Sequence, residues 1–215
     1  MISSLIFRNL PIIICSQNLI HHIKIIFVLV MFRKLVTSLW FLGLSTLLVF
    51  PLLAWPIFYF TDQSFTDLLR INWQQAFSVP TFISIGILFG LLVIWVTELP
   101  YFDHSLSKYR NLLSGLKINR FHAYFLSFCA GFGEEIFFRG ALQPLAGIWI
   151  TSIFFVAIHG YFSLKNKALN IFAVGLTLFI ALIGWAAQEF TLWHAIAAHF
   201  SYDLVLLLYH RKTSN

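Results

Sequence analysis

Residues 79–99, Val79-PTFISIGILFGLLVIWVTE-Leu99, form a 21-residue run whose only charged side chain is Glu98. A helix needs about 20 consecutive apolar residues to cross the hydrocarbon core of a bilayer, so this run predicts a transmembrane helix. The rest of the chain agrees with it. Of the 215 residues, 60% are hydrophobic and 10% charged, and the mean hydropathy is +0.85. Soluble domains carry about 25% charged residues, and a chain of this length cannot bury so much apolar surface in one core. The solvent of most side chains is therefore lipid, and 25 phenylalanines and seven tryptophans suit contact with acyl chains and membrane interfaces. The expectation is an all-α, polytopic transmembrane helix bundle.

About six spans are expected: Leu35 to Phe60, Val79 to Leu99, Phe121 to Leu142, Leu145 to Tyr161, Ala168 to Gln188 and Thr191 to His210. Pro51 and Pro56 predict a kinked or unwound end to the first. The basic residues then sort to one side: Arg33 and Lys34, then Lys108, Arg110, Lys117 and Arg120, then Lys165 and Lys167, then Arg211 and Lys212. Asp62, Asp67, Arg70 and Glu189 fall on the other. By the positive-inside rule both termini are expected in the cytoplasm, in a cell (inner) membrane. Tyr101 to Arg120 mixes leucines with basic residues and reads as an interfacial cytoplasmic helix before the third span. Residues 1–30 are apolar but broken by Gln17, Asn18, His21, His22 and Lys24, whereas Met31-Phe-Arg-Lys resembles a normal start. They are expected to be a dispensable extension, leaving 31–215 as a single membrane domain.

The net charge of +6 does not imply nucleic acid, because the basic residues lie in short clusters between apolar runs. Cys15 and Cys129 form no CxxC pair and offer no disulfide framework.

Ionisable groups within spans cost about 2.5 to 3.5 kcal/mol each on insertion scales, and those retained are functional candidates. They concentrate in three spans: Gly133-Glu134-Glu135-Ile136-Phe137-Phe138-Arg139, Phe155-Val-Ala-Ile-His159, and His194-Ala-Ile-Ala-Ala-His199-Phe-Ser-Tyr-Asp203. Glu135 and Arg139 stand at i and i+4, the spacing of a charge-assisted pair on one helix face. Glu134 points about 100° away and is left free to act on water. His199 and Asp203 share the same i, i+4 relation, and Phe155 lies one turn before His159, where it can wall the imidazole from lipid. His194 sits on a different face and is left out. Alone, the Glu135–Arg139 pair reads equally well as a helix clamp, His159 as an interfacial residue, and His199-xxx-Asp203 as a proton relay or a packing hydrogen bond; the coincidence of three spans favours a site.

Glu134-Glu135-xxx-Arg139, Phe155-xxx-His159 and His199-xxx-Asp203, in this order on successive apolar helices, resemble the three motifs of the CAAX protease and bacteriocin-processing (CPBP, or Abi) intramembrane proteases. The resemblance covers residues 121–208, with Gly131, Gly133, Gly140, Gly175 and Trp193 as supporting features. In that family the last position of the third motif is more often Asn, which Asp203 replaces here.

The resemblance implies an intramembrane endopeptidase acting on a membrane-embedded or lipidated peptide or protein. Glu134 with His159 would activate water, and His199 with Asp203 would serve the oxyanion or the leaving amine. Arg139 would hold Glu135. The family has been described both as glutamate-type and as metalloproteases; a Zn2+ ion, if used, would take Glu134, His159 and His199, and the absence of HExxH excludes the common zincin arrangement. At 1.5 Å per residue, straight spans place Glu134 and His199 about 12 Å below the outer boundary but His159 nearer the cytoplasm, so their pairing requires tilt or a later start of the fourth span. The competing readings are a proton-coupled transporter, and a scaffold or immunity protein that keeps the motifs as a clamp.

Overall fold

The computed structural model describes residues 38–116 and 118–213. Residues 1–30 and the basic pair Arg33 and Lys34 lie outside them. Of the described residues, those from Gly43 onward form one compact unit. The elements are helices α1 (Leu39–Thr61), α2 (Phe65–Leu68), α3 (Trp73–Ala76), α4 (Val79–Thr97), α5 (Pro100–Gly115) and α6 (Arg120–Glu135), a π-helical segment (Ile136–Leu142), then α7 (Gln143–Ile158), α8 (Lys167–Glu189) and α9 (Leu192–Thr213). No strand occurs among the described residues. This is the expected all-α bundle.

Five helical stretches are long and apolar enough to cross a membrane: α1, α4, the continuous path Arg120–Ile158, α8 and Leu192–Arg211 of α9. The expected third and fourth spans are thus parts of one 39-residue stretch. Within it, Gly147 alone leaves helical geometry, at φ 78° and ψ 167°. Only glycine enters that region without strain. The turn there is sharp: Glu134 and His159, which a straight helix would hold about 37 Å apart, meet at 3.8 Å. The chain therefore doubles back at Gly147, and α7 returns alongside the π-helical segment and α8. Near the bend, Gln143 donates to the Gly184 carbonyl of α8 at 2.8 Å, fixing the hairpin to its neighbour.

In the first span, α1 remains helical through Pro51 and Pro56 rather than unwinding. Each proline removes one backbone hydrogen bond, but in lipid the remaining groups find partners only within the helix. Elsewhere the ends follow local chemistry. Asn119 caps α6 by accepting from the His122 amide at 2.8 Å, and His122 Nδ1 accepts from the Asn119 amide. Asn166 accepts from the Leu169 amide at the start of α8.

Helix α9 is the central element, packed on α4, α6 and α8. Gly86 of α4 makes the closest of these contacts possible, since a Cβ there would fall 2.2 Å from the Ala198 carbonyl oxygen of α9. Small residues in such positions let backbones approach where no hydrophobic effect drives helices together. The buried face of α8 and the adjoining faces of α4, α7 and α9 build one apolar core, including Phe82, Phe155, Phe179, Ile180 and Tyr202, with Phe89 stacked on Phe179 at 4.1 Å.

Helix α5 is amphipathic, as expected, and begins with Pro100 in its first turn. Leu106 is its buried anchor. Ser105 donates to Asn166, and Tyr109 donates to the Gly160 carbonyl at 2.6 Å while stacking on Tyr161. Arg110 bonds Asp103 and the Thr97 carbonyl. Burial pushes the Tyr109 hydroxyl above its ordinary pKa, so the proton in the Gly160 bond persists across the neutral range.

Candidate active site

The three motif-bearing segments converge. On α6, Glu134 and Glu135 are the last two helical residues before the backbone widens into the π-helical segment that carries Arg139. Single π turns of this kind occur often at functional sites. The Glu135 and Arg139 side chains are completely buried, with Oε2 and Nε 3.1 Å apart; the contact is one of charge rather than an aligned hydrogen bond. Arg139 also donates from Nη2 to the Ile180 carbonyl of α8 at 3.3 Å, and its guanidinium lies 5.7 Å from the Phe155 ring centre.

Glu135 does more than hold Arg139. Its other oxygen, Oε1, accepts from His199 Nδ1 on α9 at 2.8 Å. The expected partner of His199, Asp203, is farther off, with Oδ2 3.5 Å from Nε2. Glu135 is thus the hub of an Arg139–Glu135–His199 line crossing from the π-helical segment to α9. Sequence spacing missed this contact because it runs between helices. Gly131 carried the available signal: a Cβ there would meet the Phe200 amide and Ile196 carbonyl of α9 at 3.1 and 3.2 Å, and Glu135 is one turn farther along that face.

On the other side of the site, His159 caps α7. Its Nδ1 lies 2.7 Å from the Phe155 carbonyl, which can only accept, so Nδ1 carries the proton. Nε2 of the neutral ring is then a lone pair, and it faces Glu134 Oε2 at 3.8 Å. Two acceptors are thereby aimed at the same space. Phe155 sits at the centre of the constellation, stacked on His159 at 4.4 Å and edge-on to His199 at 5.7 Å. The depth difficulty posed by straight spans is absent, because the bend at Gly147 returns His159 to the level of Glu134.

Exposure divides the group. The His159 and Asp203 side chains are 36% and 24% exposed, whereas Glu134 is at 11%, His199 at 5%, and Glu135 and Arg139 at zero. The site is therefore open along His159 and Asp203 and closed behind Glu135.

With all three motifs in one cluster, residues 118–205 also match the family described as Type II CAAX prenyl endopeptidase Rce1-like. The similarity covers about two fifths of the chain. The matched segment takes in α6, the π-helical segment, α7, α8 and most of α9, and so every residue of the cluster. The chain is 33% identical over 85 residues to the uncharacterized protein YpbD of Bacillus subtilis strain 168, a match taking in 39% of this chain and 43% of that relative. The chain thus spans less than half the length of the curated relative it matches. No solved structure matches.

Among the described residues, no three His, Cys, Asp or Glu side chains converge as metal ligands. Of the three Zn2+ ligands expected from sequence, Glu134 and His159 face each other at 3.8 Å, and His199, held by Glu135 through Nδ1, keeps Nε2 as its ligating nitrogen. His194, left out from sequence, is a buried clamp between α9 and the start of α4: Nε2 meets Ser78 Oγ at 2.9 Å and the Gln75 carbonyl at 3.2 Å, and Nδ1 meets Thr191 Oγ1.

Proposed function

We propose that this chain is a CAAX-type intramembrane endopeptidase that uses Glu134 and His159 to activate water against a peptide bond of a membrane-embedded or lipidated substrate. The Rce1-like family is a protease family. The observation that carries the reading is the pairing of two acceptors, Glu134 Oε2 and His159 Nε2, across 3.8 Å at the open edge of an otherwise closed charge cluster. A water donating one hydrogen to each would be oriented with its lone pair outward.

In the proposed reaction, the water oxygen forms a bond to the scissile carbonyl carbon as Glu134 takes its proton, and the carbonyl π electrons move onto oxygen. His199 is held by Glu135 through Nδ1, which leaves Nε2 toward Asp203 and the substrate side; in its imidazolium form it donates from Nε2 to the developing oxyanion. Collapse of the tetrahedral species breaks the C–N bond, and the proton held by Glu134 passes to the leaving amine. Phe155 sets the His159 ring plane and its tautomer through the backbone carbonyl it contributes. No step requires a metal. Chelation with 1,10-phenanthroline is expected to leave the rate unchanged.

The test is a comparison of membrane-associated peptides from cells carrying the wild-type protein or Glu134→Gln. Peptides whose processed ends vanish in the variant, at equal protein abundance, define the substrate. Unchanged processing by both Glu134→Gln and His159→Ala sinks the proposal.

A further inference from the structure

Far from Glu134 along α6, where that helix begins and α9 ends, a groove of about 450 Å3 lies between α4, α6 and α9. Its floor is aliphatic, with Leu91 and Ile94 from α4 and Leu208 from α9; its rim carries Arg120, Tyr124 and Arg211. Arg120 is the first residue of one apolar stretch long enough to cross a membrane, and Arg211 is the last of another. Both guanidiniums therefore sit at headgroup depth, and the aliphatic floor at the depth of acyl chains.

The plain reading of Arg211 is a cation offsetting the carbonyl end of α9. That reading does not extend to Arg120, at the N-terminal end of its helix, where a cation gains nothing from the dipole. Arg211 Nε is moreover a buried donor without a hydrogen-bond partner. No Asp or Glu lines the groove. The nearby acid, Glu98, accepts from Tyr209 at 3.1 Å and is engaged there. Two like charges share a pocket that is apolar beneath, an arrangement that an anion relieves. Guanidinium pairs are well matched to phosphate oxygens, and the surrounding solvent is lipid.

We infer that this groove binds one anionic phospholipid, its phosphate between Arg120 and Arg211 and an acyl chain along Leu91, Ile94 and Leu208. The proposal is independent of peptide hydrolysis. It is tested on the full chain purified in dodecyl maltoside, by native mass spectrometry during titration with dioleoyl phosphatidylglycerol or dioleoyl phosphatidylcholine. One phosphatidylglycerol is expected to be retained in preference to phosphatidylcholine by about tenfold or more, and Arg120→Gln and Arg211→Gln are each expected to weaken it by about fivefold. Arg70→Gln, outside the groove, and Glu134→Gln should bind as the wild type does, which separates lipid binding from protease activity. Thermal unfolding matching that of the wild type certifies each variant as folded. Equal retention of the two lipids, or phosphatidylglycerol binding unchanged in both groove variants, overturns the inference. So does glycerol 3-phosphate displacing the lipid at equal concentration, since the site would then recognise phosphate without the acyl chain.

Discussion

Adjacent glutamates in this chain have opposite environments, and their variants should fail in opposite ways. Glu135 is fully buried between Arg139 and His199. Glu135→Gln preserves an acceptor for His199 but leaves a buried guanidinium uncompensated, a defect that costs about 3 to 5 kcal/mol. A large fall in the thermal unfolding temperature in detergent is the expected result. Glu134 Oε2 has no hydrogen-bond partner within the protein, so Glu134→Gln should unfold like the wild type while peptide hydrolysis falls by about 100- to 10,000-fold. If Glu134→Gln proved the less stable variant, the division between clamp and base would be wrong. Phe155 offers a finer test. Phe155→Leu keeps an apolar side chain but removes the ring and its stack on His159, so turnover should drop by more than the accompanying loss of stability explains. At this scale the sequence was informative wherever residues share a helix. The i, i+4 spacing of Glu135 with Arg139, and of Phe155 with His159, reads straight off the chain. The contact between Glu135 and His199 does not, because it depends on the register of two helices that are 64 residues apart in sequence.

At the scale of elements, the apolar runs were legible to within a few residues: α4, α8 and α9 lie almost where hydropathy and length put them. The doubling back at Gly147 was not, since one glycine in an apolar run carries no mark of its φ. Nothing lies within 4 Å of a Cβ built on Gly147, so the cost of a side chain there is backbone strain rather than a clash. Gly147→Val is therefore expected to destabilise by about 1 to 3 kcal/mol and to reduce hydrolysis further than the stability loss explains, by moving His159 away from Glu134. Chemical unfolding and turnover measured on one preparation check both effects. Retention of full activity would show that the bend does not set the site. Of the two outcomes that proline allows, unwinding is absent, since α1 stays helical through Pro51 and Pro56.

For the whole molecule, the reversal fixes which loops share a side. If α4 and both arms of the Gly147 hairpin traverse the bundle, the segment before α4 and the segment after α7 lie on opposite faces of the membrane. With Cys15 and Cys129 replaced by alanine, single cysteines at Asp67 and Lys165 should then be labelled by an impermeant maleimide from opposite sides of sealed vesicles. Labelling from the same side would mean that residues 120–158 cross only once. The hairpin has one more consequence, for the lengths its arms can have. From Gly147, Glu134 lies 13 residues back and His159 12 residues on, so the arms are matched like the legs of a caliper. Inserting a single residue in either arm would advance one tip by about 1.5 Å and swing its side chain by about 100°. Segments 134–147 and 147–159 should accordingly tolerate substitution on their outer faces far better than any change in length.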